Sequence, residues 1–529
     1  MVLATFTLKQ DYWETISLGE GDLEVIYDHL LEHETPMTAN TLVEILVEQR
    51  LIRERKDAER KKSEGTKVYL PKETYKIGDK VVFPNDEWAI GEVTNLRNAH
   101  SPIEEAFKVV EVEFEGGVKR EFASELEGHQ LNIPPEVDEN DPLLSPTAIL
   151  EHFGDSIIEN LTDSLREHPD FVYIAGKWFP SALLVDVNDG NLNLAEAVLD
   201  MNGGGPLPTP EILETVGMPE GVNQNLAEFS LDLALQEDKR FDEVGSTGQV
   251  SWFLKRMEPE EVQKTPLLLK ANHIDYDPEQ LTDQMRNLVQ QLDDEYSEAD
   301  WSEEPLEDEV SVTLIFPHWR TGSLPLTDRL SSFFPSAYES PRVRFKLIDG
   351  DTGEEFPGWV VRLEKYVYGL REWYLQKGIM PGGKVILKRG ENPGELIVRT
   401  VAHRSTKEWV RTALIGADGG VVYAMLKQPV STMYDDWMMV TMPADTEALD
   451  QAWEERAKSP LPFEQVVVET LRELAKLNPQ SHVHAAELYS ALNVVYRCPP
   501  EPLLALLSSR PWFNHVGDLH FRYDDSAES

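Results

Sequence analysis

The sequence predicts an α+β multidomain protein, with about four helical units that each close on a short hairpin, one small β-barrel and one larger barrel-like β-domain. Three observations predict it. Helical periodicity followed by a corner, a Phe, a Gly turn and an aromatic strand recurs near Phe171, Phe241 and Phe513. Two stretches, 75–134 and 310–445, change to period two between Gly and Pro turns. Acid-rich segments at 135–141 and 259–309 separate these blocks. At 529 residues the chain has room for about three to five compact domains.

The first unit, 1–74, places Leu23, Ile26, Leu30 and Leu31 at helical spacing, and Leu42, Ile45, Leu46 and Leu51 repeat the period. Between them, Pro36 and Met37 turn the chain and Thr38 or Asn40 caps the next helix. A basic run follows (Arg53, Arg55, Lys56, Arg60, Lys61, Lys62), then a strand from Lys67. Helices followed by a strand pair are the winged-helix order, which sets the basic run at the end of the third helix and on the wing. Arg53, Arg55 and Arg60 are therefore candidate DNA contacts; the alternative is a solvated helix end.

Strands of 75–134 carry Gly78-Asp79-Lys80-Val81 and then Gly91-Glu92-Val93. The pattern resembles the small SH3-like barrels of transcription-associated proteins, which bind protein as often as nucleic acid.

Units 142–186, 187–258 and 446–529 carry the recurring pattern. It resembles the HARE-HTH type of winged helix, found at the amino end of the δ subunit of bacterial RNA polymerase and in some restriction and chromatin proteins. The aromatics Phe171, Trp178, Phe179, Phe241, Trp252, Phe513 and Phe521 are expected in cores. The helix entering the second copy carries Glu228, Asp232, Glu237 and Asp238, so the middle units are expected to bind protein or to space the others. Segment 259–309 reads as an acidic linker with one helix (Leu281, Met285, Leu288) and a flexible stretch from Asp293 to Glu309.

The domain 310–445 opens on alternating Val312, Leu314 and Phe316 and continues through Val343, Phe345 and Leu347, with residues 421–426 extending the sheet. Its stretch 341–411 holds more Arg and Lys than Asp and Glu in a chain of formal net charge −46. Trp359, Tyr366-Val367, Gly369-Leu370, Trp373-Tyr374, Lys377-Gly378 and Pro381-Gly382-Gly383 before an apolar strand resemble the DNA-binding pseudobarrel of plant auxin-response-type factors and some restriction-enzyme specificity domains. Lys384 departs from that pattern, standing where an acidic residue is expected. The resemblance and the basic island together imply double-stranded DNA as ligand. Candidate contacts are Arg342, Arg344, Lys384, Lys388, Arg389, Arg404 and Arg411, with Arg320 on the loop after the first strand. The alternative is that these cations only solvate strand edges, while Trp319 packs and Arg320 caps.

Ninety-five acids against 49 bases exclude DNA affinity from the overall field, so DNA contact must be local. The acidity serves solubility, a basic protein partner such as a polymerase or nuclease subunit, or mimicry of DNA. The single cysteine, Cys498, excludes an internal disulfide and a cysteine-rich zinc site. No apolar run approaches the roughly 18 residues of a membrane span, and the amino terminus lacks the marks of a secretory signal, so no membrane and a cytoplasmic setting are expected. There is no P-loop, His-Glu-x-x-His or nucleophile elbow. His482 and His484 lack a third metal ligand in sequence, and Asp349 and Asp351 near Lys346 read as turn acids. The reading is a non-enzymatic DNA-binding, transcription-associated protein without a cofactor. Its rivals are an acidic scaffold or RNA polymerase-associated subunit, and the DNA-recognition subunit of a restriction or defence system.

Overall fold

The computed structural model describes residues 8, 11–63, 67–83, 89–99, 107–114, 116–132, 142–219, 221–298, 308–416, 420–442 and 446–526; side chains at 57–63 and 405–406 fall outside that description. The fold is mixed α+β. It divides into two compact units, 1–186 with 221–229 and 187–220 with 230–529, the division falling inside the helix Gln224–Glu237.

The first unit begins with the helix Glu20–His33, whose Asp22 carboxylate accepts from the Gly19 N–H at 3.0 Å. A two-residue strand, Met37–Thr38, leads into the helix Ala39–Ser63, which buries Leu42, Val43, Leu46, Val47 and Leu51. The helix Pro146–Glu167 buries Ile149, Ile157, Leu161 and Leu165 along one stripe. The hairpin of Phe171–Ile174 and Lys177–Pro180 turns on Ala175 and Gly176, both at positive φ, a two-residue turn matched to the twist of its strands. Met37 pairs with Trp178 and Thr38 with Lys177. Elements expected in separate units, 1–74 and 142–186, thus share one three-stranded sheet. A five-stranded sheet (Lys67–Val68, Lys80–Phe83, Ala89–Ala99, Phe107–Phe114, Lys119–Ser124) lies between them in sequence, around buried Tyr69, Tyr75 and Phe83. The basic run also lies elsewhere than expected. With no breaker before residue 63, it prolongs the second helix of this set rather than ending a third.

The same order recurs in residues 187–258 and 446–529. Helices Asp189–Met201, Thr209–Val216 and Gln224–Glu237 accompany a sheet in which Ser251–Leu254 lies between Phe241–Glu243 and Leu207–Pro208. Helices Phe463–Ala475, Ala485–Val495 and Pro500–Ser509 accompany one in which His520–Tyr523 lies between Val483–His484 and Phe513–Gly517. The pattern aromatics, Phe171 to Phe521, are buried.

Seven strands form a nearly closed, barrel-like sheet in the order Glu309–Thr313, Lys384–Arg389, Glu395–Arg399, Arg342–Asp349, Glu355–Val361, Tyr366–Tyr368, Ser323–Pro325. Only Arg342–Asp349 and Glu395–Arg399 run parallel. Alternation directs Val343, Phe345 and Leu347 inward and leaves Arg342, Arg344 and Lys346 on the outer face. Residues 421–426 do not extend this sheet. They belong to a separate two-stranded ribbon, Ala402–Ile415 with Val421–Thr432, whose long strands pair with each other along residues 406–415 and 421–430, with one further bridge from Thr412 to Thr441.

The acidic stretch from Asp293 is not a loose linker where it is described. Asp294 and Glu295 are buried against Arg497, and Glu295 also faces His318 at 3.1 Å. A buried guanidinium from far along the chain supplies the counter-charge that local composition lacks. Residues 299–307 of that stretch lie outside the described residues.

Candidate nucleic-acid interface

In the first unit, Arg53 lies 3.2 Å from the buried Asp22, which also takes Arg50. Burial works to raise the Asp22 carboxyl, but the hydrogen bond from Arg50, the Gly19 N–H and the charges of Arg50 and Arg53 hold it below its ordinary value. Arg55 and Lys56 are exposed on the same helix. The Arg60 side chain lies outside the described residues.

In the second unit the predicted cations fall into two groups. Four are taken up inside the protein. Arg342 pairs with Asp242 at 2.7 Å and donates Nε–H to the Val262 carbonyl at 2.9 Å. Arg344 lies over Phe253 at 5.2 Å and Trp359 at 5.8 Å, and burial pulls its guanidinium below its ordinary range. Arg320 pairs with Asp450, donating from Nε at 3.1 Å. Arg411 is buried, pairs with Glu487 at 2.7 Å and donates to the carbonyls of Trp437 and Met439. The hairpin of the neighbouring helical set thus covers Arg342 and Arg344: Phe253 and Val244 share a core with Trp359 and Val361.

The second group stays outside. Lys384 is half-buried, 4.0 Å from Asp435. Lys388 is exposed and makes no ion pair among the described residues, though its register partner across the sheet is Glu309. Arg389 lies over Phe333 at 4.7 Å and donates to Ser332 Oγ at 3.3 Å. Arg404 is exposed at the root of the ribbon. That root is tied to the barrel where Lys384 N–H donates to the Met433 carbonyl (2.9 Å) and Met433 N–H to that of Val401 (2.8 Å).

Sequence reasoning missed Arg399, Lys407, Trp409 and Lys427, all exposed on these same strands. Arg399 faces outward opposite Ile386, and Lys427 faces Trp409 across the ribbon. The signal was present: Lys407, Trp409 and Arg411 alternate at period two, with Lys427 in the partner strand. With these added, the exposed cations lie on the strands Lys384–Arg389 and Glu395–Arg399 and on the two ribbon strands, where Trp409 is also exposed.

The other sequence candidates resolve differently. Lys377, not Lys346, holds the turn acids, at 3.0 Å from Asp349 and 2.7 Å from Asp351. Lys346 pairs with Glu355 and Glu395. The His520 ring lies 4.9 Å from that of His482 and 5.0 Å from that of His484, while Trp437 stacks on His484 at 4.3 Å. Burial and the neighbouring His520 pull His484 down to about 4. Among the described residues no group of three His, Cys, Asp or Glu is placed to hold a metal ion. Nor, among them, is any helix long and apolar enough to cross a membrane. Comparison with protein-family models, with curated proteins and with solved structures finds no match.

Proposed function

We propose that this protein is a non-enzymatic, DNA-binding, transcription-associated protein of the cytoplasm. In this reading the helical sets are winged helices of the HARE-HTH type, the five-stranded sheet is an SH3-like barrel, and the seven-stranded sheet is a DNA-binding pseudobarrel. One observation carries it. Between residues 384 and 432, eight Arg and Lys stand against four Asp and Glu, in a chain of net charge −46. Six of those eight (Lys388, Arg389, Arg399, Arg404, Lys407 and Lys427) are exposed. A local cationic surface is what phosphate contact requires when the overall field repels DNA. Titration of a labelled duplex with the full chain tests it: saturable binding that weakens steeply with added salt is expected, and absence of binding at low salt refutes it.

A second reading, an acidic scaffold for a basic protein such as a polymerase subunit, is favoured by a different observation. The helix Pro146–Glu167, third in its set, carries Glu151, Asp155, Glu159, Asp163 and Glu167 against a single Arg166. Such a face repels a phosphate backbone and suits a cationic partner.

A further inference from the structure

We propose that the ribbon carries a stacking platform for unpaired nucleobases, built on Trp409 with Lys407 and Lys427 beside it. The proposal rests on the nucleic-acid reading above and adds to its duplex contact a site for single-stranded segments. Trp409 is 63% exposed, whereas Trp178, Trp252, Trp359 and Trp373 are buried. The Lys427 ammonium lies 5.4 Å from the centre of the indole ring and covers one face of it. Lys427 is also the cross-strand partner of Trp409, and Lys407 that of Pro429. Residues 407, 409, 411, 425, 427 and 429 share one ribbon face by alternation, and none is Asp or Glu. The acid between them, Glu408, points to the other face, where it meets His403 at 2.7 Å and Tyr434.

The ribbon below the platform is anchored to the protein. Past Trp409 the same face turns into the protein, with Arg411 on Glu487 and the Tyr423 hydroxyl donating to the Ala491 carbonyl at 2.8 Å. On the reverse face Val410 and Val430 bury against Met439. An exposed indole beside two lysines, on a ribbon face whose six residues include no acid, matches the chemistry of a strand of nucleic acid: a base has a π-face for the indole, and its phosphates suit the ammonium groups. In a base-paired duplex the bases are already stacked on one another, so the indole gains nothing there.

The test is fluorescence anisotropy of the full chain with an oligothymidine of about 12 nucleotides and with a duplex of the same length. Trp409→Ala is expected to weaken single-strand binding about tenfold while changing duplex binding less than about twofold. Trp409→Phe, which keeps an aromatic face, should restore most of the affinity, and thermal melting checks that both variants fold. An equal weakening on single strand and duplex would overturn the platform, as would no weakening on either; duplex binding by the wild type would in both cases leave the function reading standing. Failure of the wild type to bind either probe would remove that reading and the platform with it.

Discussion

Arg342 on the outer face of the barrel and Asp242 on the hairpin of the preceding helical set form an ion pair, with Nη1 2.7 Å from Oδ2. A residue whose type and neighbourhood suggest a DNA contact is thereby a strut between two parts of the second unit. Arg342→Ala should destabilise the fold by about 2 kcal/mol in chemical denaturation, as expected for a half-buried charged hydrogen bond. It should leave duplex affinity unchanged in the folded protein.

The Arg497 guanidinium and the Asp294 carboxylate, both with fully buried side chains, are joined at 2.8 Å through both amino groups. Burial would raise the carboxyl of neighbouring Glu295, yet the charges of Arg497 and His318 hold it well below the carboxylate range. Removing the cation leaves two buried acids without their partner. Arg497→Ala should cost about 3–5 kcal/mol of unfolding free energy. Because Glu295 titrates lower in the folded than in the unfolded chain, its contribution is present above the unfolded value and is lost on acidification. Denaturation curves at neutral and acidic pH check both expectations.

Near the Arg342–Asp242 pair, burial pushes Glu243 up to about 7 and Glu258 up to about 8. For Glu258 the neighbouring Asp242 carboxylate adds to the effect of burial. For an acid raised on folding, the stability is present below its unfolded value of about 4.3 and is lost as pH rises through the folded one. The unfolding midpoint should therefore fall between about pH 5 and pH 8 on account of these two groups. Glu258→Gln should raise the midpoint at about pH 9 and barely alter it at about pH 4, which calorimetry at the two extremes measures.

Legibility in the sequence followed the range of the interactions. The recurring Phe, Gly turn and aromatic strand are local, and Phe171, Phe241 and Phe513 lie where that pattern put them, at hairpin starts. The pairing of Met37 with Trp178 is not local, since an entire β-sheet intervenes in the chain, and no periodicity announces it. The same holds for Asp294 and Arg497, 203 residues apart, where composition alone reads as flexible acid. In the candidate interface, residue type identified the cationic strands, but Arg342, Arg344, Arg320 and Arg411 were matched with acids or aromatic rings from other elements. Lys388, Arg389 and Arg404 stayed exposed.

The most direct measurement is the salt dependence of duplex binding for the full chain and for a Lys388→Glu, Arg389→Glu double variant. If the end of the strand Lys384–Arg389 meets phosphate, the double variant should bind more weakly at low salt, and the logarithmic salt slope should shrink by about 2, near 0.9 for each phosphate no longer neutralised. Identical slopes and affinities for the two proteins would contradict the account.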